Sequence, residues 1–336
     1  MTWGLAFRLR QYVKGSLWLI PALGVVAGGL LSLAVMAVDR AVPDNGILTY
    51  PESTATAVLS ANISATAALT GFVVTVAVLA VQMTTGTFSA RYMRLWYRDL
   101  LLKGLIATRI RILSYSYTAI RFVGDDFVPD ITVTVSAAAV ILSLLYFVIF
   151  FDRVLHGLRP VAVAARVSHQ GGQAFRAWME VIHDPDTPVR PHRLAPSTET
   201  ASFIVRAPRP GCIQALDIRG LARFAGAQRC HLVLHHTIGD FVPREAILLS
   251  VHGGSLPALA AERLSSMVAL GDERTIEQDP MFAVRIMVDI ANKALSPAVN
   301  DPTTAIQVLD HLAETLRLIG TSKLPELGGP PGGGDS

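Results

Sequence analysis

The sequence predicts a membrane-embedded all-α bundle of four transmembrane helices, followed by a cytoplasmic α+β domain. Three observations predict it. The first half holds uncharged apolar stretches of spanning length, charge returns in the second half, and the basic residues of the first half segregate with alternate loops. Of 336 residues, 51% are hydrophobic, above the ordinary globular mix, and the excess lies before about residue 150.

The spans fall at about 17–38, 63–83, 104–123 and 131–151, within a transmembrane domain of residues 1–152. Leu17 to Val38 carries no charge and at 1.5 Å per residue covers a hydrocarbon core of about 30 Å. It is longer than the apolar region of a cleaved signal peptide, about 7–15 residues. The second and fourth stretches are also uncharged. The third carries Arg109, Arg111 and Arg121. An arginine costs about 2.5–3.5 kcal/mol at the centre of a span and much less near its ends, where the side chain reaches the interface. Arg8, Arg10 and Lys14 precede the first span; Arg91, Arg94, Arg98 and Lys103 follow the second; Arg153 and Arg159 follow the fourth. The loop at 124–130 holds Asp125, Asp126 and Asp130 without a basic residue. Four crossings put every basic cluster on one side, with both termini cytoplasmic; three would put the second half outside.

The first span contains Gly24-x-x-x-Gly28, and the second a seam of Ser64, Ala67, Gly71 and Thr75 that reaches Gln82. Such seams pack helices within one bundle or between subunits. In the third span Gly104, Thr108, Arg111, Ser114, Tyr115, Thr118 and Arg121 share one face. The opposite face holds Leu105, Ile106, Ile112, Leu113 and Ile120, with Arg109 the exception. Lipid cannot satisfy a polar stripe. It either packs inside the bundle with its arginines reaching the headgroups, or lines a hydrated path that favours anions. Phe88 to Arg98 alternates aromatic residues with arginine, as a helix in the inner interface does, and the stretch from Trp3 to Lys14 reads likewise.

Residues 153–197 read as a helical connector, continuing the fourth span to about Val181, and a Pro- and His-rich linker. The α+β domain is placed at 198–320 and a disordered tail at 321–336. Strands are expected at Ala201 to Val205, after Gly211, at His231 to His235 and at Ala246 to Val251, with a short helix at Leu221 to Ala227. Leu256 to Ala269 reads as one helix. Asp279-Pro280 and Asp301-Pro302 open two more, since aspartate caps and proline suits the first helical position. Met281, Val284, Val288, Ala291 and Leu295, with Ile306, Leu309, Ala313 and Leu316, form the apolar stripes of a helical hairpin.

Several stretches resemble one family: Gln82 to Arg91, Phe127-Val128-Pro129, Gly239-Asp240-Phe241-Val242, Gln278-Asp279-Pro280, and most distinctively Ala294 to Ala305. Together they are similar to the domain-of-unknown-function 2254 family of bacterial membrane proteins, over about Trp18 to Leu312. The resemblance implies an inner-membrane location with a cytoplasmic C-terminal half, and no activity.

Catalytic footholds are few. His231, His235, His236 and His252 have no carboxylate or cysteine at supporting spacing for zinc. Asn300 and Asp301 lie in one loop, and beside Arg285 and Asp289 they either form a ligand pocket or are a helix cap next to an i,i+4 salt bridge. No phosphate loop, dinucleotide fingerprint or nucleophile elbow occurs. A net charge of +3, scattered, argues against nucleic acid, and two cysteines make no disulfide framework. The expectation is a non-enzymatic, cofactor-free, homo-oligomeric channel- or transporter-like protein of the lipid bilayer, its cytoplasmic domain assembling or gating the helices. The alternatives are a membrane-anchored sensor or enzyme using the Asn300-Asp301 pocket, or a membrane scaffold. The ion or small molecule is not legible.

Overall fold

In the computed structural model, the residues described are 3–16, 18–41, 49–87, 99–124, 127–157, 159–185, 187, 201–254 and 260–323. The expected interfacial helix at Phe88 to Arg98, most of the linker and the tail from Pro325 lie outside them. The chain divides into two compact units, Tyr12–Ala162 and Met1–Gln11 with Val163–Ser336. Helix α1 (Trp3–Gly15) crosses that division.

The first unit is helical: α2 (Leu19–Ala41), α3 (Glu52–Thr87), α4 (Leu100–Ile120) and α5 (Asp130–Gly157). Three stretches are long and apolar enough to cross a membrane, namely Leu19–Ala41, Glu52–Gln82 and Asp130–Gly157. Their outer faces expose Leu23, Val26, Leu30, Phe72, Ile141 and Leu142, as helices in contact with hydrocarbon do. Helix α4 has 21 residues but carries Lys103, Arg109 and Arg111.

One end of the unit is tied by two aspartates. Asp39, at the end of α2, accepts from the backbone N–H groups of Ile131 (2.8 Å) and Thr132 (2.9 Å) and from the Thr132 hydroxyl. These are first-turn donors of α5, which lack intrahelical partners and favour a negative charge. Asp130 accepts from the Tyr50 N–H, just before α3, at 2.9 Å. Gly124 and Phe127 exchange two backbone hydrogen bonds of 3.1 Å, so α4 turns sharply into α5 at this same end. The four helices therefore alternate in direction.

Helix α2 approaches α4 most closely. A Cβ at Gly24 would lie 2.9 Å from the Ala107 carbonyl oxygen, and one at Gly28 would collide with that of Arg111. Gly24-x-x-x-Gly28 is thus a contact within this bundle. The second expected seam differs, because Ser64, Ala67, Gly71 and Thr75 are exposed on α3.

The second unit contains α6 (Pro160–Ile182), β1 (Phe203–Arg206), β2 (Gly211–Leu216), α7 (Ile218–Gln228), β3 (His231–Leu234), β4 (Phe241–Val242), β5 (Ile247–His252), α8 (Ala260–Ser265), β6 (Val268–Gly271), α9 (Pro280–Ala294) and α10 (Pro302–Thr321). Two antiparallel three-stranded sheets run β1-β5-β3 and β4-β2-β6. Strand β5 serves both cores. Leu249 and Val251 pack with Val205, Phe224 and Leu264, while Leu248 packs with Ile213, Val242 and Leu270.

Three sequence expectations are corrected. Of the helix expected over Leu256 to Ala269, 256–259 lie outside the described residues, Ala260–Ser265 forms α8, and Val268–Gly271 is a strand paired with β2 in the register Leu216↔Val268 and Cys212↔Gly271. A short continuous apolar run does not distinguish a buried strand from a buried helix. The fourth span does not run unbroken to Val181; α5 ends at Gly157 and α6 begins at Pro160, whose missing N–H is harmless only in a first turn. The hairpin of α9 and α10 forms, but only partly on the expected stripes. Its buried residues are Phe282, Ala283, Ile286, Met287, Ile290, Ala291 and Ala294, with Ala305 and Val308; of the expected stripes Ala291 is buried, Val284 and Val288 are half-buried, and Met281, Leu295, Ile306, Leu309 and Leu316 are exposed. Helix α6 selects this face. Gly171 lets it approach Ala283, and Ser168 Oγ lies 2.9 Å from Thr315 Oγ1.

The two seams yield a paired prediction. Gly28→Ala should destabilise the helical unit by about 1–3 kcal/mol, the range of overpacking, because its Cβ meets fixed backbone. Gly71→Ala, with no atom of its own chain within 4 Å of its Cβ, should leave the single-chain fold within about 0.5 kcal/mol of wild type. Thermal unfolding of detergent-purified protein checks both.

Candidate functional site

The polar face expected on α4 divides in three. Tyr115 is buried, its hydroxyl donating to the Thr132 carbonyl oxygen at 3.2 Å. Thr108, Ser114 and Thr118 are half-buried; Ser114 donates to the Val25 carbonyl oxygen of α2 at 2.7 Å, and Thr118 to that of Ser114 at 2.8 Å. Arg111 and Arg121 are exposed. Arg111 is the twelfth of the 21 residues of α4, so it sits at the helix midpoint.

The buried seam of α4 is Leu102, Leu105, Arg109, Ile112, Ser116 and Ala119, spaced alternately by three and four residues. It carries polar groups into the core. Ser116 Oγ lies 2.7 Å from Ser136 Oγ, which also accepts from Asn62 Nδ2 at 2.9 Å. These three side chains join α3, α4 and α5. Two turns along α4, Arg109 Nη2 donates to the Ser143 carbonyl oxygen at 3.3 Å, and its Cζ lies 5.6 Å from the Phe147 ring centroid. Ser32 and Thr66 are buried with hydroxyls that have no hydrogen-bond partner. Single serines on apolar faces look like packing residues, which hides this layer in the sequence. The signal was the recurrence of polar residues along those seams, Arg109 above all.

In the second unit, the four expected pocket residues form two local arrangements. Arg285 Nε is 3.3 Å from Asp289 Oδ1, an i,i+4 pair on α9. Asn300 takes a left-handed conformation (φ 47°), and Asp301 caps α10, accepting from the Thr304 N–H at 3.0 Å and its hydroxyl at 2.6 Å. Those two hydrogen bonds hold the Asp301 carboxyl below its ordinary pKa.

Two motifs distant in sequence meet here. Asp279 caps α9 through the Phe282 N–H (3.0 Å) and receives Arg274 Nε and Nη2 at 3.0 and 2.7 Å. Gly239, at φ 96°, lies so close that a Cβ would be 2.6 Å from Asp279 Oδ2. Gln278 adds two hydrogen bonds to the backbone of Leu216. The stretches at Gly239 and Gln278 thus lock α9 onto the sheets.

A family model described as "Predicted membrane protein (DUF2254)" matches residues 14–327. The chain belongs to the DUF2254 family. Its curated relatives include uncharacterized proteins of Mycobacterium tuberculosis, strains CDC 1551 and H37Rv, and of Mycobacterium bovis, each 30% identical over 331 residues. That match covers 94% of this chain and 63% of each relative, so the chain spans less than two thirds of their length. No solved structure matches the chain. It is a predicted membrane protein of unknown function.

Histidine geometry is close but not metal-like. His231 and His252 are register partners, and Ser250 Oγ lies 3.0 Å from both His235 Nε2 and His252 Nε2. Among the described residues no group of three His, Cys, Asp or Glu side chains has a metal-holding arrangement. Cys212 and Cys230 are free thiols, and burial pushes the pKa of both up, away from a reactive thiolate.

Asp301 provides a pH test. Its folded pKa is lowered, so its contribution is present above the unfolded value of about 3.9 and is lost as pH falls through the folded value. Asp301→Asn should therefore lower the thermal stability of the hairpin at neutral pH, and the gap to wild type should close as pH falls below about 4. Melting curves from pH 7 to 3 measure this.

Proposed function

We propose that the chain is an inner-membrane protein of four spans with both termini cytoplasmic, working as a homo-oligomeric channel- or transporter-like protein whose second unit assembles or gates the helices. The exposure of Arg111 at the midpoint of α4 carries this reading. A guanidinium there cannot be left to hydrocarbon, so another chain or a hydrated path must meet it. A second copy of the chain supplies the covering surface, and the exposed small-residue seam of α3 offers close helix approach. A third crossing by α4 is supported by its direction. It turns into α5 at the end where α2 finishes and α3 begins.

The reading makes two measurable claims. With Cys212 and Cys230 replaced by alanine, cysteines introduced at Asp125 and at Asp272 should react with an impermeant reagent from opposite sides of the membrane. Labelling from the same side removes the four-span arrangement. Purified protein in planar bilayers should pass chloride in preference to potassium, and Arg111→Glu should weaken or reverse that preference without loss of folding. Silent recordings from folded, oligomeric protein would count against a path altogether.

A further inference from the structure

Arg109 and Arg111 stand two residues apart on α4 and meet opposite surroundings. Arg111 is exposed, whereas Arg109 is 0% exposed, the largest fully buried side chain among the described residues. Of its nitrogens only Nη2 has a hydrogen bond, to the Ser143 carbonyl oxygen; Nε and Nη1 have no partner. The Phe147 ring gives partial compensation for the charge. No ion pair to Arg109 occurs among the described residues. Asp39 and Asp130 are engaged at the far end, on α5 and on Tyr50, and Asp152 of α5, nine residues beyond Ser143, lies 3.3 Å from His156 Nδ1. A permanently charged guanidinium is therefore held in the core of a membrane bundle with donors unmet and no counter-charge, an arrangement that is strongly unfavourable unless something negative completes it.

We propose that Arg109 is the binding residue for a small, weakly hydrated monovalent anion of the chloride or nitrate class. The inference rests on α4 crossing the membrane as proposed above, and it names a ligand class for that reading. Charge and solvation select the class. One guanidinium neutralises one negative charge, and the neighbours along its seam are Leu105 and Ile112, which provide no further donor. A divalent ion such as sulfate would keep a net charge in a low-dielectric site and forfeit a much larger hydration energy. Because Arg109 has no accessible surface, the anion enters as the bundle loosens and stabilises the state it occupies.

Thermal unfolding of the full chain in lipid nanodiscs, titrated with sodium chloride, nitrate or sulfate at constant ionic strength, tests this. Wild-type protein should show a saturable rise in Tm with chloride and nitrate and none with sulfate. That order is opposite to the general salt effect, in which sulfate stabilises most. Arg109→Gln should lose the rise, and Arg317→Gln, removing an exposed arginine of α10, should keep it. If Arg109→Gln does not fold, Arg109→Lys replaces it and should bind with changed affinity. Chloride-35 line broadening that nitrate reverses then reads the site on wild-type protein alone. A wild-type Tm insensitive to anion identity, or a response that survives in folded Arg109→Gln, overturns the assignment. Saturable binding in protein that conducts nothing upholds the Arg109 site and sinks the path. Chloride conductance with no response attached to Arg109 upholds the path and sinks the site.

Discussion

Where Gly24 and Gly28 of α2 meet the carbonyl oxygens of Ala107 and Arg111, two helix backbones touch without side chains between them, and the helical unit is organised around that contact. Helices in a lipid environment gain little from excluding water, so close packing and hydrogen bonds decide how they associate. The contact fixes the rotation of α4 about its axis. At 100° per residue, Arg109 and Arg111 lie 200° apart, and a rotation that exposed the first would bury the second. The same contact leaves Ser114 in reach of the Val25 carbonyl oxygen. The polar seam of α4 is thereby turned towards α3 and α5.

Hydrogen-bond satisfaction accounts for most of the other joints in the helical unit. The ends of the helices are met by Asp39 and Asp130, and mid-bundle polarity by the Asn62, Ser136 and Ser116 chain. Thr70 and Thr75 satisfy themselves on carbonyl oxygens four residues earlier in α3, as hydroxyls in membrane helices do. Against that background the unmet groups of Ser32, Thr66 and Arg109 stand out. Unpartnered hydroxyls cost modestly, but a buried guanidinium with Nε and Nη1 unpartnered is far more costly.

The second unit obeys a different logic, that of water-driven burial. One strand, β5, is covered on both faces and so joins two cores. The stretches that carry the family resemblance serve there as joints. Gln278 grips the backbone of Leu216, Asp279 holds Arg274 while capping α9, and only glycine fits at position 239 beside them. In this unit the resemblance marks how the hairpin is locked to the sheets.

Spans and caps were legible because each depends on local rules. Uncharged length identifies Leu19–Ala41, and Asp-Pro places the starts of α9 and α10 through groups two or three residues away. Pattern reading reached its limit where a segment had two apolar faces or a continuous apolar run. The run at Val268–Gly271 became a strand because β2 supplied its ladder, and α9 and α10 turned partly different faces inward because α6 packed on them. The sequence by itself determined which segments leave water and where helices start. Only the tertiary structure decided that Arg111 faces outward and Arg109 inward, because that choice depends on how closely one glycine-bearing helix approaches another.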